Sequence, residues 1–203
     1  MFILNIKINV DFLYLMLSLK LKQMEVDKTP IEGLLVIKPK IFYDNRGCFF
    51  ESWNTASFKK IGIDYNFVQD NQSVSNKGVL RGLHFQNPPF AQGKLVRVLR
   101  GSVLDVAVDI RKKSKTYGQH FSIKLSEENS AMFWIPPGFA HGFISLEDNT
   151  IFSYKCTQFY NQSYEGSLNW SDKKLDIDWK VNNPIVSEKD NLGVCFSDFT
   201  SLF

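Results

Sequence analysis

The sequence predicts an all-β fold, a sandwich or barrel with which a jelly roll is consistent, carrying a few short helices. Three observations carry this expectation. Beyond Met24, short runs alternate apolar and polar residues with period two. Gly, Pro and Asn clusters break those runs at short intervals, and helical periodicity is confined to two brief stretches.

Taken in order, the apolar run at 34–38 reads as a strand. Asn54 then offers a side-chain oxygen to cap a short helix over Thr55–Ile61. Strands follow at 66–69, 79–85 and 94–99, the last closed by the turn Arg100-Gly101-Ser102. The clearest strand is 104–110, where Leu104, Val106, Val108 and Ile110 share one face and mark a sheet half buried in a core. Runs at 119–125 and 131–135 precede the turn Pro136-Pro137-Gly138, and a run at 151–158 follows it. A second helical piece spans Ser187–Asn191.

A chain of 203 residues with 44% hydrophobic content can bury one ample core, and residues 24–203 read as a single domain. Residues 1–23 are apolar but interrupted by Lys7 and Asp11 and flanked by Lys20 and Lys22. They fall short of the roughly 18 uninterrupted apolar residues of a membrane span, and they lack a small-residue cleavage site. We read them as an N-terminal extension or a misassigned start, with Met16 and Met24 as alternative starts. A net charge of +3, with Lys and Arg scattered, argues against a nucleic-acid or membrane partner. Cys48, Cys156 and Cys195 form no Cys-x-x-Cys pair, so neither a disulfide framework nor a zinc knuckle is expected, and a reducing cytoplasm fits best.

Histidine is scarce: His84, His120 and His141 are the three in the chain. His84 stands in Val79-Leu80-Arg81-Gly82-Leu83-His84-Phe85-Gln86, three residues after Arg81 and downstream of Gln69 and Asn71, with Lys94 following. A base, cations and neutral hydrogen-bonding groups gathered on one surface would be costly in a plain core. Strict alternation would send Arg81 and His84 to opposite faces, unless Gly82 marks a bulge. No histidine has another two residues away, so a metal is not expected. No Gly-x-Ser-x-Gly elbow, P-loop or dinucleotide glycine motif occurs, and no cofactor is implied.

A set of longer motifs narrows the reading. It comprises Phe42-Tyr43-Asp44-Asn45-Arg46-Gly47, Phe67-Val68-Gln69-Asp70-Asn71, Val79 to His84, Gly93-Lys94-Leu95-Val96-Arg97, Asp105 to Arg111, Ile135 to Phe143, and Tyr154-Lys155. Together they resemble the dTDP-4-dehydrorhamnose 3,5-epimerase family over about residues 24–192. The resemblance implies a cupin-type jelly roll, a homodimer, no metal, and a dTDP-sugar substrate. It implies inversion at C3 and C5 of dTDP-4-dehydro-6-deoxy-D-glucose, a step towards dTDP-L-rhamnose. Both carbons are α to the C4 ketone, so each proton can leave to give an enolate that is reprotonated from the other face.

By the same resemblance His84 is the general base, Asp190 the carboxylate that orients it, Tyr154 the acid on the opposite face, and Lys94 the cation beside the C4 oxygen. Arg46 and Arg81 suit the diphosphate. Glu51, Gln69, Asn71, His141, Glu165 and Lys189 match substrate contacts, and Tyr160 is a candidate to stack on thymine. Asp70, Asp105 and Asp109 read as turn or barrel-support residues, and Trp134 and Phe143 as packing. Lys115 and Ser171-Asp172-Lys173 depart from the family pattern, and the tail 193–203 has no assigned role. The alternatives are a relative that inverts one centre only, and a non-catalytic cupin that binds a nucleotide sugar.

Overall fold

The computed structural model of the chain describes residues 24–203; the reading of residues 1–23 lies outside them. Its first half holds β1 (Met24–Lys28), β2 (Leu35–Pro39), β3 (Phe42–Asp44), β4 (Gly47–Phe49), helix α1 (Thr55–Lys60), β5 (Gln69–Ser75), β6 (Val79–Gln86) and β7 (Lys94–Arg100). The second holds β8 (Ser102–Asp109), β9 (His120–Ser126), β10 (Met132–Ile135), β11 (Phe139–Ser145), β12 (Thr150–Cys156), β13 (Glu165–Ser167), β14 (Ile185–Val186) and helix α2 (Glu188–Asn191).

The strands form a cupin-type jelly roll of two facing sheets. One sheet runs β1-β2-β10-β7-β12-β5; the other runs β13-β6-β11-β8-β9, with β14 added in parallel to β6. Their inner faces share a core that includes Val36, Val96, Val98, Phe133, Ala107, Phe139 and Phe152. The outer face of the first sheet is sealed by α1, whose Phe58 packs with Ile37, Leu95, Met132 and Trp134. Asn54 caps that helix, its side chain accepting from the amides of Ala56 and Ser57.

The outer face of the second sheet carries Leu80, Leu83, Val106, Val108 and Ile110, and is covered by Leu168, Leu175, Trp179 and Phe196. This gives the tail a role: the Ser201 hydroxyl donates to the Ile110 carbonyl, and the Lys112 amide donates to the Phe203 carbonyl at 3.1 Å. The apolar stripe of β8 therefore meets the C-terminal segment rather than the space between the sheets. Asp105 and Ala107 take the inward positions.

Two boundaries differ instructively from expectation. The run at 66–69 leads into a strand rather than forming one, because Phe67 packs edge-on against Trp53 at 4.5 Å and the ladder begins at Gln69. β5 alternates polar inward residues with exposed ones, so its pattern carries no apolar signal. β11 lies between β6 and β8 and is buried along its full length, which erases the alternation that would have revealed it.

Candidate active site

The site occupies the space between the sheets, at the end where polar residues replace the apolar core. β5 sends Gln69, Asn71, Ser73 and Ser75 inward, β7 sends Lys94, and β12 sends Tyr154 and Cys156. The opposite wall supplies Arg81 and His84 from β6, His141 from β11 and Asp105 from β8. Thus His84 and Tyr154 stand on facing walls of a cavity of ≈ 250 Å³, which Arg81, Lys94, His141, Phe143, Lys189 and Asp190 also line. The expectation that Gln69, Asn71, Lys94 and His84 share one sheet face is corrected by this geometry: two sheets contribute, and they converge.

The alternation problem in β6 is resolved by a bulge. Opposite β11, His84 pairs with His141 but Arg81 pairs with Phe143, so β6 holds one extra residue between them. Arg81 and His84 both turn inward, while Leu80 and Leu83 pack outward. Gly82 makes this possible. Its φ is +137°, and a Cβ there would lie 2.5 Å from Gly142 Cα and 2.9 Å from the His141 carbonyl oxygen.

Two histidine–carboxylate pairs result. His84 Nε2 lies 2.7 Å from Asp190 Oδ1, while the other Asp190 oxygen accepts from the Gly82 amide at 3.2 Å. Burial alone would raise the Asp190 pKa, but the hydrogen bonds from His84 and Gly82 outweigh it and hold the carboxyl below its ordinary value. An anionic Asp190 fixes the proton of neutral His84 on Nε2 and leaves Nδ1 with a lone pair. His141 Nε2 lies 2.9 and 3.0 Å from the two oxygens of Asp105. Asp105 is fully buried and holds the His141 ring, in keeping with its reading as a barrel-support residue. Desolvation lowers the His141 pKa, opposed by Asp105 and assisted by the neighbouring charge of Lys94.

Lys94 is enclosed, and desolvation lowers its pKa; its ammonium stands 5.9 Å from the Tyr154 ring centroid. Burial, helped by Cys156, raises the Tyr154 pKa, so the phenol keeps its proton. Burial also pushes the Cys156 thiol up to about 11, and its Sγ accepts from Asn71 Nδ2 at 3.8 Å. Gln69 Nε2 donates to Asn71 Oδ1 at 3.0 Å.

A second hollow of ≈ 110 Å³ adjoins the first and shares His84, Lys94 and Tyr154 with it. Gln69, Asn71, Tyr160 and Glu165 line it. Glu165 accepts from the Tyr160 hydroxyl at 2.9 Å and from Lys189 Nζ at 2.6 Å. Although burial opposes it, those two bonds hold the Glu165 pKa below the ordinary value.

Arg46 and Glu51 line neither hollow. Arg46 is 85% exposed and pairs with Asp44 at the tip of the β3–β4 hairpin. Glu51 instead braces α1, accepting from Asn54 and from Ser57 Oγ. Their expected place beside the other site residues is thus not met within one chain. Asp70 faces outward onto Lys155, Asp109 is held by Arg111, Ser114 and Thr116, and Trp134 is core, as read from the sequence. Phe143 is core as well but also faces the cavity. Among the lining residues that sequence reasoning missed is Ser73. It lines the cavity, and its buried Oγ has no hydrogen-bond partner. Its signal was the two-residue spacing from Gln69 and Asn71.

Comparison with known proteins matches this arrangement to a family. The family model for dTDP-4-dehydrorhamnose 3,5-epimerase matches residues 28–198. The chain belongs to the dTDP-4-dehydrorhamnose 3,5-epimerase family. It is 52% identical to the dTDP-4-dehydrorhamnose 3,5-epimerase of Shigella flexneri over 86% of this chain and 97% of that protein. With the Methanothermobacter thermautotrophicus epimerase it shares 50% identity over 80% of this chain and 89% of the relative. The solved dTDP-6-deoxy-D-glucose-3,5-epimerase of Legionella pneumophila, in complex with dTDP-4-keto-L-rhamnose, superposes with a TM-score of 0.84 at 46% identity, covering 87% of this chain and 95% of that one. Among the described residues, no helix of this epimerase-family chain is long and apolar enough to cross a membrane.

Proposed function

We propose that this cavity carries out the family's reaction, epimerisation at C3 and C5 of dTDP-4-dehydro-6-deoxy-D-glucose to dTDP-4-dehydro-L-rhamnose, with His84 as base and Tyr154 as acid. The observation that carries the assignment is the His84–Asp190 contact at 2.7 Å in a cavity that Lys94 and Tyr154 share. Asp190 holds the Nε2 proton, so Nδ1 takes the proton from carbon, and the imidazolium that forms is stabilised by the adjacent carboxylate. Lys94 is half-buried in the cavity wall, where a fixed cation stabilises the oxygen of the enolate more than it would in water. Because Tyr154 comes from the facing sheet, a ring held between the walls is deprotonated on one face and reprotonated on the other.

The same geometry suits the rest of the substrate. Arg81 Nε is braced by Ser75 Oγ at 3.2 Å, which orients its planar fork for phosphate oxygens. Lys189 adds donors, Gln69 and Asn71 add neutral hydrogen-bonding groups, His141 offers its second ring nitrogen, and half-exposed Tyr160 presents a ring to the base. Ser73, with its unpartnered hydroxyl, is a further sugar contact in this reading.

A homodimer accounts for Arg46 and Glu51. The β3–β4 hairpin is exposed at every residue and shows Phe42, Tyr43 and Phe49 to solvent, an apolar arm that a monomer gains nothing by projecting. A second copy would cover that arm and receive Arg46 at its own site. The three unpaired cysteines accord with a reducing compartment, and we place the protein in the cytoplasm.

The test is incubation with the keto sugar in deuterated water, read by NMR. Wild-type protein incorporates deuterium at both C3 and C5, whereas His84→Ala incorporates none while still binding dTDP. Unchanged turnover in His84→Ala would overturn the assignment of the base.

A further inference from the structure

We infer that Gln86 and Gln92 form a latch that sets Tyr160 in place for the nucleotide end of the substrate, making Gln86 a positioning residue for binding. This rests on the function proposed above. Gln86 is the last residue of β6 and is only 3% exposed; it borders the second hollow, yet both its N–H groups and its oxygen are spent on backbone groups of the neighbouring loops. Its Nε2 donates to the Phe90 carbonyl at 2.7 Å and to the Phe159 carbonyl at 3.1 Å, and its Oε1 accepts from the Asn161 amide at 2.7 Å. The Phe159 carbonyl and the Asn161 amide belong to the two peptide groups that flank Tyr160. One buried side chain therefore grips the backbone on both sides of that residue.

Two further bonds complete the restraint. Gln92 Nε2 donates to the Gln158 carbonyl at 2.7 Å, and the Tyr160 amide donates to Gln69 Oε1 at 2.9 Å. Apolar burial does little to hold this loop, because Phe159 is 59% and Tyr160 52% exposed. Hydrogen bonds must do it instead. With its backbone fixed, the Tyr160 hydroxyl meets Glu165, which in turn holds Lys189, so the ring and the cation at the mouth of the site are set by one chain of contacts. Freed from the latch, the loop would sample other positions, and binding would carry the cost of ordering it.

Gln86→Met keeps the volume and deletes all three bonds. Calorimetric Kd for dTDP and the steady-state KM should rise roughly tenfold, the effect expected from losing buried hydrogen bonds, with kcat falling far less. In a Tyr160→Ala background the same change should add little, since the residue being positioned is gone. An unchanged Kd, or an equal loss in both backgrounds, would overturn the latch. Should Gln86→Met fail to fold, Gln92→Leu serves in its place: a smaller rise in Kd is expected, and none would count against the proposal. Wild-type deuterium exchange and dTDP binding are measured first. Their failure would refute the proposed function, whereas a normal wild type with an indifferent Gln86 refutes the latch alone.

Discussion

Replacing Asp190 with Asn tests the mechanism more sharply than removing the base. In the native site two donors converge on this carboxylate, His84 Nε2–H on one oxygen and the Gly82 amide on the other. An asparagine has one oxygen for the two. If that oxygen keeps Gly82, the amide nitrogen faces His84 and forces the ring proton onto Nδ1, which removes the lone pair that takes the proton from carbon in the proposed reaction. If it keeps His84, the Gly82 amide loses its acceptor within a buried bulge. Either way the negative charge that stabilises the imidazolium disappears. A charge-assisted hydrogen bond contributes about 1.5–3 kcal/mol, so kcat should fall by roughly 10- to 150-fold. The assay is the initial rate of deuterium incorporation at C3 and C5, with the Kd for dTDP measured alongside. The reasoning fails if Asp190→Asn exchanges within about twofold of wild type, or if exchange and dTDP affinity fall together, since only the first of these should respond.

Three other outcomes follow from the same geometry. The alkaline limb of kcat/KM should lie below the ordinary lysine range, because burial lowers the Lys94 pKa and its cation is lost as pH rises, while Tyr154, whose pKa is raised, keeps its proton. Lys94→Arg should move that limb to higher pH at reduced kcat, and an unmoved limb would assign it to another group. Gly82→Ala should cost about 3 kcal/mol or more in denaturant unfolding, since it combines a disfavoured φ with a backbone clash; a loss under about 1 kcal/mol would show that the bulge relaxes. Mixing Arg46→Ala with His84→Ala chains should restore turnover if the arm acts on the partner's site, because each mixed dimer then contains one intact site. Purely additive activities on mixing would place Arg46 outside the site.

What the sequence made legible, and what it hid, divides along physical lines. Strands such as β7 announce themselves because Leu95, Val96 and Val98 form a short apolar run closed by a turn, although cores lie on both faces. β5 and β11 escape the same reading for opposite reasons, one because its inward residues are the polar lining of the cavity and the other because both its faces are buried. At the site, His84 stands out as a scarce residue in an apolar strand, but its partner lies 106 positions away, and only the fold brings Asp190 to it. Asp105 is legible as a support residue, but the group it supports, His141, lies 36 positions away and only the fold brings the two together. The bulge at Gly82 could be posed as a question from the sequence, since a glycine separated two residues that chemistry wanted on one face. Its answer needed the register against β11.

The two histidine–carboxylate pairs are chemically alike, and their surroundings give them different work. The His84 side chain is 30% exposed beside an Asp190 that is held ionised, so it can accept a proton and hold it next to a negative charge. His141 is 7% exposed, desolvation depresses its pKa, and Lys94 lies near enough to oppose a second positive charge. With its basicity lowered by desolvation, His141 is poorly suited to store an abstracted proton, but it remains a hydrogen-bond partner of fixed orientation. In the proposed reaction, burial thus separates a base from a binding group that would otherwise compete for the same proton. It also accounts for the presence of Asp105: without that carboxylate, the His141 ring would lose the contact that sets its orientation in the wall facing the substrate.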